Sequence, residues 1–125
     1  MADWHDIAEE FGRAAAMMVR SGCPRSAASR AYYSFFPALA AELAERRVTM
    51  HYGTNPRHRP DVERHIRQDL GLGAEGARRL VSLARSLYDR RLDADYNGPY
   101  AVDEVTARES LRDMANARNI LGRLK

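Results

Sequence analysis

The sequence predicts an all-α fold, a single-domain antiparallel bundle of four long helices and one short one. Three observations carry that prediction. Apolar residues recur at intervals of three and four over long stretches, the period of one helix face. The period-two alternation that marks a strand never runs for more than a few residues. Glycine and proline divide the periodic stretches: Gly22 with Pro24, Gly53 with Pro56 and Pro60, Gly71, and Gly98 with Pro99. A chain of 125 residues suffices for one domain with a real core, here taken as residues 1–125.

The first helix opens behind Asp3, whose side-chain oxygen is placed to cap it. Trp4, Ile7, Ala8, Phe11, Ala15 and Met18 form its apolar stripe, and Asp6, Glu9, Glu10 and Arg13 face away. Gly22 stops it and Pro24 prevents its continuation. The turn is short and contains Cys23, so the next helix packs antiparallel to the first.

The second helix, over residues 26–47, carries more of the core than any other stretch. Tyr32, Phe36, Leu39 and Leu43 make its stripe, widened by Phe35 and Ala40. Pro37 lacks an N–H and collides with the carbonyl of Tyr33, which predicts a bend. Residues 48–60 are irregular. Pro60 then suits the first turn of a short helix over 61–70, with Val62, Ile66 and Leu70 inward and Gly71 ending it.

The fourth helix begins near Ala74 and turns Ala77, Leu80, Val81, Ala84, Leu87, Tyr88 and Leu92 inward, ending at Asn97-Gly98-Pro99. The last is capped by Asp103 or Thr106 and buries Ala107, Leu111, Met114, Ala115, Leu121 and Leu124. The expected core therefore includes Trp4, Ile7, Phe11, Tyr32, Phe36, Leu39, Leu43, Leu80, Leu87, Leu111 and Leu121.

A hydrophobic content of 45% and a charged content of 30% are those of a globular rather than a disordered chain. No stretch approaches the roughly 18 apolar residues that span a bilayer, and the N-terminus has no basic leader before an apolar run. A cytoplasmic location without a membrane partner is expected. Cys23 is the single cysteine, which leaves no intrachain disulfide and no cysteine-based zinc site.

The net charge of +3 is mild, but residues 46–67 hold Arg46, Arg47, Arg57, Arg59, Arg64 and Arg67 against Asp61 and Glu63. Lys125 is the sole lysine. Arginine suits bidentate phosphate contact, although such a bias equally reflects a GC-rich genome. His51, His58 and His65 recur every seven residues, but the glycine and prolines among them forbid a continuous helix. They read as a solvated basic loop, and no metal or cofactor is expected. Gly71, Gly73 and Gly76 follow no strand, so they are helix punctuation rather than a phosphate loop.

Two motifs carry a family resemblance. Arg30-Ala31-Tyr32-Tyr33-x-x-Phe36-x-Ala38 resembles the R-A-Y-Y-x-x-F-x-A run of small prokaryotic HEPN domains, with Pro37 where that family often has histidine. Arg91-Leu92-Asp93-Ala94-Asp95-Tyr96 resembles the R-x-x-A-D-Y ending of the fourth helix in the same subfamily. Together with the Val102-Asp103 start of the last helix, the resemblance covers roughly residues 5–124.

The resemblance implies nucleotide or RNA binding in a toxin-like or defence-associated protein related to metal-independent RNases. Active members place an arginine four to six residues before a histidine and pair two copies across a dimer. A base of near-neutral pKa then helps the RNA 2′-hydroxyl attack its phosphodiester, and the arginine stabilises the charge that develops. Here four residues separate Arg91 from Tyr96, and no histidine follows His65. A phenol, with an ordinary pKa of about 10, is a poor base at neutral pH. The resemblance thus points to Arg91 and Tyr96 as a degenerate catalytic pair, and to Arg30, Arg90, Arg91, Asp95 and Tyr96 as phosphate-binding residues.

It also implies a homodimer. Such proteins are often encoded beside a minimal nucleotidyltransferase, which in some pairs adenylylates a tyrosine near the arginine; Tyr96 and Tyr100 are the acceptors here. The same residues have a structural reading. Arg91 and Asp95 are spaced for an i, i+4 ion pair, and Tyr96 is placed to seal the end of the bundle.

Overall fold

The computed structural model describes residues 3–48, 58–96 and 102–123, with backbone alone for 58–61. Five helices follow in order: α1 (Trp4–Arg20), α2 (Pro24–Glu45), α3 (His58–Asp69), α4 (Gly73–Tyr96) and α5 (Glu104–Gly122). The bundle is built around α2, which packs against α1, α4 and α5, while α3 lies on α4. Four long helices and one short one, with no strand among the described residues, are the arrangement the periodicity predicts.

α1 begins where the sequence places it. Asp3 Oδ1 accepts from the Asp6 N–H at 2.8 Å, and Asp6 Oδ2 accepts from the Asp3 N–H at 3.4 Å, closing a reciprocal cap. Its buried face is not the row of large residues. Ala8, Gly12 and Ala15 are buried, whereas Trp4, Ile7, Phe11 and Met18 are half-buried along the edges of the seam. The reason is a close approach of α1 to α2: Ser34 Oγ, fully buried, donates to the Ala8 carbonyl at 2.6 Å. A Cβ on Gly12 would stand 3.0 Å from that same hydroxyl oxygen.

Gly22, at φ +73°, turns the chain into α2. Pro24 does more than block α1; it is the first residue of α2, which therefore starts two residues before Ser26. The helix runs through Pro37, itself buried, as one element. From Pro37 to Leu43 every residue is buried, because neighbours stand on several sides of α2. The expected single stripe is thus too narrow. Phe35 is fully buried and Phe36 only half-buried, the reverse of the weight that spacing gives them.

α2 ends at Glu45 rather than Arg47. Arg47 takes φ +59°, its N–H reaches the Ala44 carbonyl at 3.0 Å, and the Val48 N–H reaches the Leu43 carbonyl at 2.9 Å. That pair of bonds is the αL closure usually given to glycine, so Arg47 holds a conformation that side-chain-bearing residues resist.

α3 begins at His58, three residues earlier than expected, and buries Val62 and Ile66, with Leu70 just beyond its end. Residues 49–57 of the irregular stretch, with His51, lie outside the described residues, as does the side chain of His58. His65 is not on a solvated loop. It is buried on α3, with Nδ1 2.6 Å from Asp69 Oδ2. Glu63, also buried, accepts from Arg85 Nη2 at 2.6 Å and Nε at 3.1 Å, which fastens α3 to α4.

α5 is capped by Asp103, whose Oδ1 accepts from the Thr106 N–H at 2.8 Å. That bond to the carboxylate holds the Asp103 pKa below its usual value. Ala115, expected inside, is exposed. Ser110, Ala117 and Ile120 are buried in its place beside Ala107, Met114 and Leu121, with Leu111 half-buried and Leu124 outside the described residues. No described helix is long and apolar enough to cross a membrane.

Candidate functional site

The last turns of α4 meet the N-terminal half of α2 in one constellation. Arg91 projects inward from α4 and is only 8% exposed. Its Nη2 donates to the Tyr33 hydroxyl at 2.8 Å, across from α4 to α2. Its Nε lies 3.1 Å from Asp95 Oδ2, the i, i+4 pair that the spacing allows, yet this buried nitrogen makes no aligned hydrogen bond. The guanidinium carbon stands 5.4 Å from the centre of the Tyr33 ring and 5.6 Å from that of Tyr96. Burial works against the charge of Arg91, but Tyr33 and the Asp95 carboxylate outweigh it and move its pKa upward, so the cation persists at any working pH.

Arg25, half a bundle away in sequence, fixes this corner. Its Nε and Nη2 donate to the Ala94 carbonyl at 2.9 and 2.6 Å, satisfying an end carbonyl of α4 with a charged donor. Neither Arg25 nor Tyr33 stands out as a site residue in the sequence. Tyr33 sits inside the R-A-Y-Y motif, and an aromatic there reads first as core. In the fold it is 36% exposed, with its ring 6.2 Å from Phe11 and 5.4 Å from Tyr32.

Arg91, Asp95 and Tyr96 therefore come together, and Tyr33 joins them. Tyr96 does not seal the bundle end, since it is 64% exposed. Arg90 turns the other way: Nη1 meets Asp113 at 2.6 Å and Nη2 meets Glu109 at 3.3 Å, pinning α4 to α5. Arg30 is half-buried one helical turn before Tyr33 on α2 and makes no ion pair with the described residues. Tyr100 lies outside the described residues. The constellation offers a desolvated, delocalised cation beside an exposed flat ring, with one carboxylate occupying the guanidinium edge.

Among the described residues one group has metal-like spacing. His5, Glu42 and Glu45 bring a ligand atom each within 4.8 Å of one another. Glu42, however, is already neutralised by Arg46 Nη1 at 3.0 Å, and Arg118 lines the adjoining hollow with His5 and Glu42. Two guanidinium groups at that spot disfavour a cation, and the group is an ion-pair network joining α1 to α2.

A family model described as HEPN domain matches residues 1–124 of the chain. The comparisons with curated proteins and with solved structures give no match.

Proposed function

Because the chain belongs to the HEPN domain family over residues 1–124, we propose that it binds RNA or nucleotide phosphate at Arg91. It acts as a toxin-like or defence-associated relative of the metal-independent RNases. The observation that supports this reading is the buried Arg91 guanidinium, held by Tyr33 at 2.8 Å and paired sideways with Asp95 at 3.1 Å. A guanidinium clamped in this way is oriented before any ligand arrives, and low dielectric strengthens what it then holds. Asp95 is the carboxylate that an incoming phosphate would displace. Tyr96 stands where a histidine base belongs, so binding outlasts cleavage.

The test is incubation with a labelled structured RNA in EDTA. Arg91→Gln is expected to weaken binding about 10- to 100-fold, the worth of a charge-assisted contact, and to abolish any cleavage. Circular dichroism checks that the variant folds. Binding and cleavage equal to the wild type would remove Arg91 from the site.

The protein also forms a homodimer on this reading, with Arg91 near the seam so that two sites share one groove. The exposed Tyr33 and Tyr96 rings support that placement. Light scattering at tens of micromolar is expected to give twice the mass of one chain; the mass of a single chain would exclude it.

A second reading is favoured by Tyr96 itself, a tyrosine rather than a histidine, and exposed. In it the chain is a non-catalytic partner module for a minimal nucleotidyltransferase, which modifies Tyr96 or Tyr100. Mass spectrometry after co-expression with such a transferase is expected to show a modified peptide spanning residues 91–108; an unmodified peptide excludes this reading.

A further inference from the structure

We propose that the hollow between α1, α2 and α5 binds a small carboxylic acid with a hydrogen-bond donor on the adjacent carbon. Arg118 takes the carboxylate and Glu42 the donor. The site is separate from the Arg91 corner, which gathers the start of α2 and the end of α4. This hollow lies where α1 begins and where α2 and α5 end, and its lining includes His5, Ala8, Ala38, Glu42, Arg118 and Leu121. Two opposite charges face it without meeting. Glu42 is only 2% exposed; Arg46 Nη1 holds its Oε2 at 3.0 Å, and Oε1 has no donor among the described residues. Arg118 is half-buried, with its head against α1, where a Cβ on Gly12 would stand 2.9 Å from Nη1. It makes no hydrogen bond or ion pair with any described residue. Glu42 and Arg118 thus line one hollow and form no pair, so a group seated between them satisfies both.

Size and charge narrow what that group is. The hollow holds about 150 Å³, room for about five water molecules at about 30 Å³ each. An acid of a few carbons fits, and a nucleotide does not, because sites for larger ligands begin at about 300 Å³. Arg118 and Arg46 disfavour a bare cation, as at the neighbouring cluster of His5, Glu42 and Glu45. Glu42 and the carbonyl end of α5 at Gly122 disfavour a dianion such as phosphate. A single carboxylate matches the planar fork of Arg118. A hydroxyl or ammonium on the next carbon then gives Glu42 Oε1 the donor it lacks, and a simple carboxylate does not.

The experiment titrates the ¹⁵N-labelled full chain with L-lactate, L-alanine, acetate and inorganic phosphate at constant ionic strength, read by amide correlation spectra. Saturable shifts at His5, Ala8, Ala38 and Glu42 are expected with lactate, with alanine or with both, and the stronger of the two identifies the donor as hydroxyl or ammonium. Acetate, which lacks the donor, is expected to bind about tenfold more weakly, the worth of one hydrogen bond to a charged group. Arg118→Gln is expected to weaken binding by about tenfold, and Arg112→Gln, an exposed position on the same helix, to leave it unchanged. The same spectra show whether each variant folds, and the contrast between lactate or alanine and acetate tests the site in the wild type without any variant. Shifts that do not saturate, acetate or phosphate binding as tightly as both lactate and alanine, or equal losses from Arg118→Gln and Arg112→Gln overturn the proposal.

Discussion

Phe35→Ala is expected to lower the unfolding free energy by about 3–5 kcal/mol, and Phe36→Ala by less than half as much. Phe35 is fully enclosed in the middle of α2, the helix that packs against α1, α4 and α5. Truncating it removes a large apolar area from the core and leaves a cavity that a helix held on several sides cannot collapse to fill. Phe36 is half-buried at the margin of the same core, with its ring 6.2 Å from Tyr32, and its neighbours have room to close over a deletion. Denaturant melts of the two variants measure the contrast directly. Similar losses at the two positions would mean that α2 presents one stripe rather than an enclosed body. Against a typical stability of about 5–15 kcal/mol, the Phe35 variant stands near the limit of folding.

Gly12→Val is expected to cost about 2–4 kcal/mol, for a different reason. The added Cβ meets Ser34 Oγ at 3.0 Å and Arg118 Nη1 at 2.9 Å. The arginine head is the end of a long side chain and swings away at little cost. The serine does not: it is fully buried and donates to the Ala8 carbonyl at 2.6 Å. Pushing it aside strands a buried hydroxyl, and the branched methyl groups add overpacking at the α1–α2 crossing. Gly12→Ala is milder, because about 1 kcal/mol of helix propensity offsets part of the clash. The discriminating measurement is a double-mutant cycle with Ser34→Ala, in which the smaller residue is expected to reduce the cost of Gly12→Ala. Additive losses would show that Ser34 is not the obstacle.

The corner around Arg91 shows how far residue order alone reaches. Arg91, Asp95 and Tyr96 lie within a helical turn and a half of one another on α4, so spacing places them together without any tertiary information. Tyr33 and Arg25 arrive from a segment far upstream, and their partnership with Arg91 and Ala94 exists only once α2 crosses the end of α4. Arg90, adjacent to Arg91 in sequence, points about a quarter-turn away and is held by Asp113 and Glu109 of α5. Local order gives neighbouring arginines equal standing; the packing of α5 separates them.

Residue order alone determined the helical class, the number and order of helices, the cap at Asp3, and the apolar residues that α3 and most of α4 turn inward; it left Asp103 and Thr106 as alternative caps of α5, and Asp103 takes that role. Those features depend on interactions within a few residues, where periodicity and capping chemistry act. Tertiary structure decided which face of α1 goes inside, and it chose Ala8, Gly12 and Ala15 because only small residues let two backbones approach closely. It also decided that α2 is enclosed rather than striped, that Ala115 faces solvent, and that His65 is buried with Asp69. Each of these depends on what stands opposite a residue in space, and that is a property of helix crossings rather than of spacing along one helix.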